Sequence, residues 1–325
     1  MNAAETETLF GAMLDGDMPG AEIIATLTAM SDRSETAQEI CGAAQAMRAR
    51  MLTITAPANA IDVCGTGGDA HQTLNVSTAV AIVVAACGVP VAKHGNRAAS
   101  SKAGAADTLE ALGLNMTRAG ETAEATLADL GICFLFAANH HPAMKRIQPL
   151  RQQIGRRTIF NLIGPLANPA QVRRQLLGIA RPDYVPVYAE AMMLLGTERS
   201  LIVSGEEGLD ELSIAGSSDC ADVGTERNHS HRITPEDAGL PRHALADLKG
   251  GDAAYNAAAL RRLLMGETDT VQDRAYRDAV LLNAAAALMV ADEVENLRDG
   301  IEEAREALDK GLAKTLLDCW ISYCE

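Results

Sequence analysis

Apolar side chains recur at helical spacing through residues 1–59. Leu9, Phe10 and Met13 share one face, Ile23, Ile24, Leu27 and Met30 a second, and Ile40, Ala43, Ala44 and Met47 a third. Gly16 and Pro19-Gly20 punctuate the first two segments, and Thr36 with Glu39 has capping-box spacing for the third. From Ala60 the pattern changes. Residues 60–64 read as a short buried strand that runs into the loop Gly65-Thr66-Gly67-Gly68-Asp69. Residues 76–87 read as an apolar helix closed by Gly88, 89–92 as a strand, 103–112 and 121–130 as helices, and 132–136 as a third strand. Further strands are expected at 176–179 and 201–203, with a helix over 185–195 between them. Such alternation is the mark of a largely parallel sheet covered by helices.

The expected class is therefore α/β: a small N-terminal helical domain over 1–59, joined by helices around 141–158, and a larger α/β domain over 60–325. That larger domain should have a mostly parallel central sheet and a helical C-terminal region, in which 276–290 is apolar almost all round and so buried. Residues 217–231 are polar and poorly patterned, and read as a mobile loop or irregular hairpin.

Composition narrows the classes of function. Hydrophobic residues make up 48% of the 325 and aromatic ones only 3%, so the core is built from Ala, Leu, Val and Ile. A formal charge of -15 repels nucleic-acid phosphates and argues against a general nucleic-acid binder. Seven cysteines, an odd count with no CxxC pair, read as reduced thiols of a cytoplasmic protein, and the start Met1-Asn2-Ala3-Ala4-Glu5 lacks the features of a signal peptide. Residues 72–92 carry no charge, but Asn75, Ser77, Thr78, Gly88 and Pro90 make them a helix, turn and strand rather than a membrane span.

Three segments carry chemistry. Gly65-Thr66-Gly67-Gly68-Asp69 follows a strand and leads through Asn75-Val76-Ser77-Thr78 into a helix, so bare backbone and helix-start N–H groups could meet an anion. The glycines alone fit an ordinary turn equally well; the amide and hydroxyls beyond them tip the balance. Lys93-His94-Gly95-Asn96-Arg97-Ala98-Ala99-Ser100-Ser101 follows the second strand, and a compact basic cluster at a strand end of so acidic a chain suits an anionic ligand. Asp210-Glu211 is a pair of hard oxygen ligands suited to Mg²⁺ if phosphates lie nearby, though alone it would pass for a surface pair.

GTGGD, NVST, the KHGNRAASSKAGAADTLEALG run, the stretch from HPAMK to RTIFNLIGPLANP, the GLDELS carboxylates and ITPEDAGL together resemble anthranilate phosphoribosyltransferase, a family of tryptophan biosynthesis with the class II nucleoside phosphorylase/phosphoribosyltransferase-like fold. The likeness spans nearly the whole chain. The resemblance implies a phosphoribosyl pyrophosphate site at Gly65, Gly68, Asp69, Thr73, Asn75, Val76, Ser77, Thr78, Lys93, His94, Gly95, Asn96, Arg97, Ala98, Ala99, Ser100, Ser101 and Ala105. It implies anthranilate contacts at Gly65, Asn96 and Arg151 with His94 and His141 close by. It implies Mg²⁺, as two ions, at Ser77, Asp210 and Glu211, and a homodimer. The acceptor is an aromatic amine, neutral at pH 7, so no general base is assigned; His94 is a candidate for proton handling. The competing readings are a pyrimidine nucleoside phosphorylase-like enzyme, against which Arg151 argues because a nucleobase has no carboxylate, and a non-catalytic nucleic-acid-binding relative, against which the charge argues. The sequence departs from the family at Cys133, where small residues are usual, and at 217–231, which lacks the usual valine-rich hairpin.

Overall fold

The computed structural model describes residues 1–98 and 102–325. A seven-stranded sheet has the order β3-β2-β1-β4-β5-β6-β7. β1 (Ile61–Gly65), β2 (Val91–Gly95), β3 (Ile132–Phe136), β4 (Arg174–Gly178) and β5 (Arg199–Gly205) run parallel, while β6 (Ser218–Gly224) and β7 (Arg227–Ile233) continue antiparallel. The α/β class with a mostly parallel sheet and helical C-terminal region is as the sequence predicts.

Period-two alternation sorts the strand residues between two faces. Ile61, Val63, Leu176, Leu201 and Val203 join one core, under the helices Val76–Ala86, Val271–Val290, Leu297–Asp309 and Leu312–Tyr323. Cys64, Leu177 and Ile202 join the other, which continues through the helix Val185–Leu194 into the N-terminal helices. Val76–Ala86 is apolar on every side because every side is covered, and burial of each of its Val and Ile side chains contributes about 1.5–3 kcal/mol. No helix among the described residues is long and apolar enough to cross a membrane.

The N-terminal helices Ala3–Asp15, Gly20–Arg33 and Ala37–Arg48 start at Asn2, Pro19 and Thr36, and capping boxes close the first and third. The helix Met144–Ile154 packs on the first two, and Ile159–Leu162 on the second and third.

Two expectations change. Residues 217–231 belong to a regular hairpin, paired without a break from Ser218↔Ile233 to Gly224↔Arg227. β7 is the outermost strand and largely exposed, so no apolar alternation marks it. The second strand starts later than expected and reaches Gly95, so Lys93 and His94 are strand residues and not part of a following loop.

Strand order reverses between β1 and β4, which hydrogen-bond each other while their sequence neighbours lie on opposite sides. In open α/β sheets the crevice beyond the carboxyl ends at such a switch point is where ligands bind.

Candidate active site

At that switch point Gly65 of β1 is the register partner of Gly178 of β4. A Cβ at Gly178 would collide with the backbone of Asp210, and one at Gly65 with its carboxylate. Two bare strand ends thus let the segment after β5 fold across them. Gly67 N donates to Asp210 Oδ2 at 2.6 Å, and His71 Nε2 donates to the Glu207 carbonyl at 3.1 Å, tying the glycine loop to the acidic segment. Asp69 Oδ1 accepts from His71 N at 3.1 Å.

The neighbouring carboxylate enters the start of helix Val76–Ala86. Glu211 Oε1 accepts from Ser77 N at 3.0 Å, where the helix dipole favours negative charge. Glu211 Oε2 is buried with no hydrogen-bond partner among the described residues, as is Thr78 Oγ1 on the same helix turn. Burial, then Asp210 and Asp69, push the Glu211 carboxyl well above its usual range. Burial and Asp69 push Asp210 up to about 6. Lys93 answers part of this charge: its Nζ donates to the Val63 carbonyl at 2.7 Å and to Ser77 Oγ at 3.4 Å. Burial lowers the Lys93 ammonium from its usual range, and Asp62, Glu211 and Asp210 oppose that shift.

Leaving a buried carboxylate oxygen unsatisfied is costly unless a cation answers it. Asp210, Glu211 and Ser77 offer hard oxygens that fit a divalent cation such as Mg²⁺. No group of three or more His, Cys, Asp or Glu side chains converges as a metal cage among the described residues. That suits an ion held by one or two carboxylates together with substrate phosphates.

Around β2, His94 N donates to Asp62 Oδ1 at 3.1 Å, and Asn168 Nδ2 donates to Asp62 Oδ2 at 2.9 Å and to the Ala92 carbonyl at 2.8 Å. His94 and His141 meet through their Nε2 atoms at 3.2 Å. Burial pulls His94 down to about 3 and His141 to about 4, so both rings are neutral at pH 7 and accept protons poorly. A neutral His94 ring is suited to hydrogen bonding and poorly suited to taking up a proton at pH 7.

The following loop is held by residues the sequence reading passed over. Asp107 Oδ2 accepts from Ala98 N at 2.8 Å and Gly104 N at 2.9 Å, tying both residues to the start of the helix Ala105–Ala111. Arg97 turns to Asp107 at 2.9 Å and Glu110 at 2.8 Å, so its charge is already answered by carboxylates. Asn96 Oδ1 accepts from Arg97 N at 2.8 Å. Gly95 lies against Phe134 and Ala105, where a Cβ would crowd both. Asn75 acts as a brace: its Oδ1 accepts from Thr108 Oγ1 at 2.6 Å and Asn256 Nδ2 at 2.8 Å. Thr73 bridges to Lys249. Ala99, Ser100 and Ser101 lie outside the described residues.

Arg151, on Met144–Ile154, lies 5.9 Å from the Phe160 ring centroid. Burial lowers its basicity, and no carboxylate lies within ion-pair distance among the described residues. Arg157, also missed, donates from Nη2 to the Gly67 carbonyl, and its own carbonyl accepts from Ser31 Oγ at 3.0 Å. The helical segment and the glycine loop are thereby joined; the Arg156-Arg157 doublet was the available signal.

Family models match along most of the chain: the α/β domain of a glycosyl transferase family over residues 57–314, and its helical bundle domain over 1–51. The anthranilate phosphoribosyltransferase of Novosphingobium aromaticivorans is 65% identical over 325 residues, covering 100% of this chain and 97% of that one. The chain belongs to the anthranilate phosphoribosyltransferase family. Among solved members, the Thermus thermophilus enzyme superposes with a TM-score of 0.91 at 41% identity, covering 100% of this chain and 96% of that one. The Saccharomyces cerevisiae enzyme in complex with PRPP and Mg gives a TM-score of 0.89 at 27% identity, covering 99% and 93%. As a family member the chain is a transferase of the glycosyltransferase class.

Proposed function

We propose that this chain transfers the phosphoribosyl group of 5-phosphoribosyl 1-pyrophosphate to the amine of anthranilate, in a Mg²⁺-dependent step of tryptophan biosynthesis. The bond from the ribose anomeric carbon to the pyrophosphate oxygen breaks, a bond from that carbon to nitrogen forms, and the amine gives up a proton. The products are N-(5-phosphoribosyl)anthranilate and pyrophosphate. The observation that carries this reading is the buried Oε2 of Glu211, without a hydrogen-bond partner among the described residues, beside Asp210 and Lys93 at the sheet's switch point.

Mg²⁺, when bound, would neutralise the pyrophosphate leaving group. Ser77, Asp210 and Glu211 would hold it; whether one ion or two is read from titration stoichiometry. The glycine loop 65–68, with Asp69, Thr73, Val76, Thr78, the strand end 93–95, the loop 96–101 and Ala105, would form the donor's bed, braced by Asn75. Lys93 would add fixed positive charge where the leaving group's negative charge develops. Arg151 would pair its planar fork with the anthranilate carboxylate, with Gly65 and Asn96 beside the ring and the neutral His94–His141 pair orienting the amine. No strong base is needed, because the attacking amine is already neutral.

Three further points belong to this reading. The helical unit would comprise 1–59 with 141–158 returning to it, supported by the packing of Met144–Ile154, and hydrogen exchange would show the two protected together. A homodimer rests on the family likeness, and light scattering gives the mass. A cytoplasmic setting rests on the same likeness, and fractionation of cells tests it.

The direct test is anthranilate fluorescence with donor and Mg²⁺, with and without EDTA. Loss of signal that needs both donor and metal supports the assignment. No loss with folded protein and bound donor would point to a different acceptor.

A further inference from the structure

A cavity of about 420 Å³ opens at the amino ends of β4 and β5, a strand's length from the carboxyl ends that form the candidate site. Arg48 and Arg173 line it with Gln171, Gln175 and Thr197, and Met51, Val172, Met192 and Leu195 are among its apolar lining. Arg48 sits at the end of helix Ala37–Arg48, where its Nε donates to the Leu166 carbonyl at 2.6 Å. It forms no ion pair with a carboxylate among the described residues, and no Asp or Glu lines the cavity. In a chain of net charge -15 that is a local reversal of the field. Arg48 and Arg151 are the two arginines among the described residues whose basicity is resolved as lowered, both chiefly by burial. Arg48 therefore has the signature of the arginine assigned above to a substrate carboxylate, in a part of the molecule the transfer reaction does not use.

We propose that this cavity is a second binding site, for a small organic monocarboxylate whose acid group pairs with Arg48 while an apolar body lies against Met51, Val172, Met192 and Leu195. The volume suits such a ligand. The lining offers no negative charge to pair with an ammonium, which disfavours zwitterionic amino acids. Met51, Val172, Met192 and Leu195 give a carboxylate with an apolar body more contact than they give a compact polyanion.

The test follows the methyl resonances of Met51 and Met192 in ¹³C-methyl-methionine protein, assigned with Met51→Leu and Met192→Leu, during titration with sodium benzoate. Both should shift saturably. The shifts should persist in Arg151→Ala, which separates this cavity from the acceptor site, and weaken about tenfold or more in Arg48→Gln. Should Arg48→Gln fail to fold, Arg48→Lys carries the comparison, since it keeps charge but loses the planar fork, and binding should still weaken. Methyls unmoved at tens of millimolar benzoate, unchanged titration in the folded Arg48 variant, or a response to inorganic phosphate in place of benzoate would each overturn the proposal.

Discussion

At the carboxyl ends of β1 and β4 and in the segment after β5, Asp69, Asp210 and Glu211 crowd together with Lys93 as the main cation, and Glu211 Oε2 stays unanswered. Along 144–158 the imbalance is opposite: Arg151 is partly buried and has no carboxylate at ion-pair distance among the described residues. One side is short of positive charge and the other short of negative. The exposed Arg97, paired to Asp107 and Glu110, is short of neither. Structural charges are balanced within the chain; those left unbalanced and shielded from water mark where ligands complete the electrostatics.

The harshest way to break this contrast is Glu211→Gln. Turnover should fall about a hundredfold or more. The metal-free fold should hold or gain stability, since a buried unpaired acid has gone. Kinetics beside thermal melts check this; a large loss of stability would make Glu211 a structural residue. Arg151→Ala should raise the KM for anthranilate about 10- to 100-fold and spare donor binding. Aniline, which lacks the carboxylate, should react equally poorly with wild type and variant; discrimination that survives the substitution would separate Arg151 from the acceptor.

The acidic side also sets a pH dependence. Asp210 titrates near about 6 when folded, against its ordinary 3.8, so the folded state binds the proton more readily. In metal-free protein this penalty is absent below the unfolded value and complete above the folded one. Stability should thus fall by on the order of 2–3 kcal/mol between those limits. Mg²⁺ should accordingly raise the melting temperature more at pH 7.5 than at pH 5; equal shifts would disconnect the carboxylates from the metal. Arg97→Ala should change stability least, by about 0.2–1 kcal/mol in denaturant melts. A much larger cost would make the Arg97 pairs essential to the loop.

Legibility followed the same physics. The parallel sheet and the glycine loop could be read because they depend on local period and on residues adjacent in sequence. β7 could not, because an exposed edge strand has no core face to pattern it. Lys93 was placed in a loop because a lysine argues against a buried strand; what keeps it there is Val63, Ser77 and acids from distant segments. Asp62, Asn168 and Arg157 went unseen for the same reason. Their roles depend on partners as far away as Asn168 is from Asp62 or Arg157 from Gly67, which spacing along the chain does not reveal.

The most direct measurement is calorimetric titration of phosphoribosyl pyrophosphate into wild type and Arg151→Ala, each with and without Mg²⁺. The account predicts tight binding that requires Mg²⁺ and is unchanged by the Arg151 substitution. Equal binding without the metal, or loss of donor binding in Arg151→Ala, would contradict a donor side completed by a cation and a separate acceptor side completed by a carboxylate.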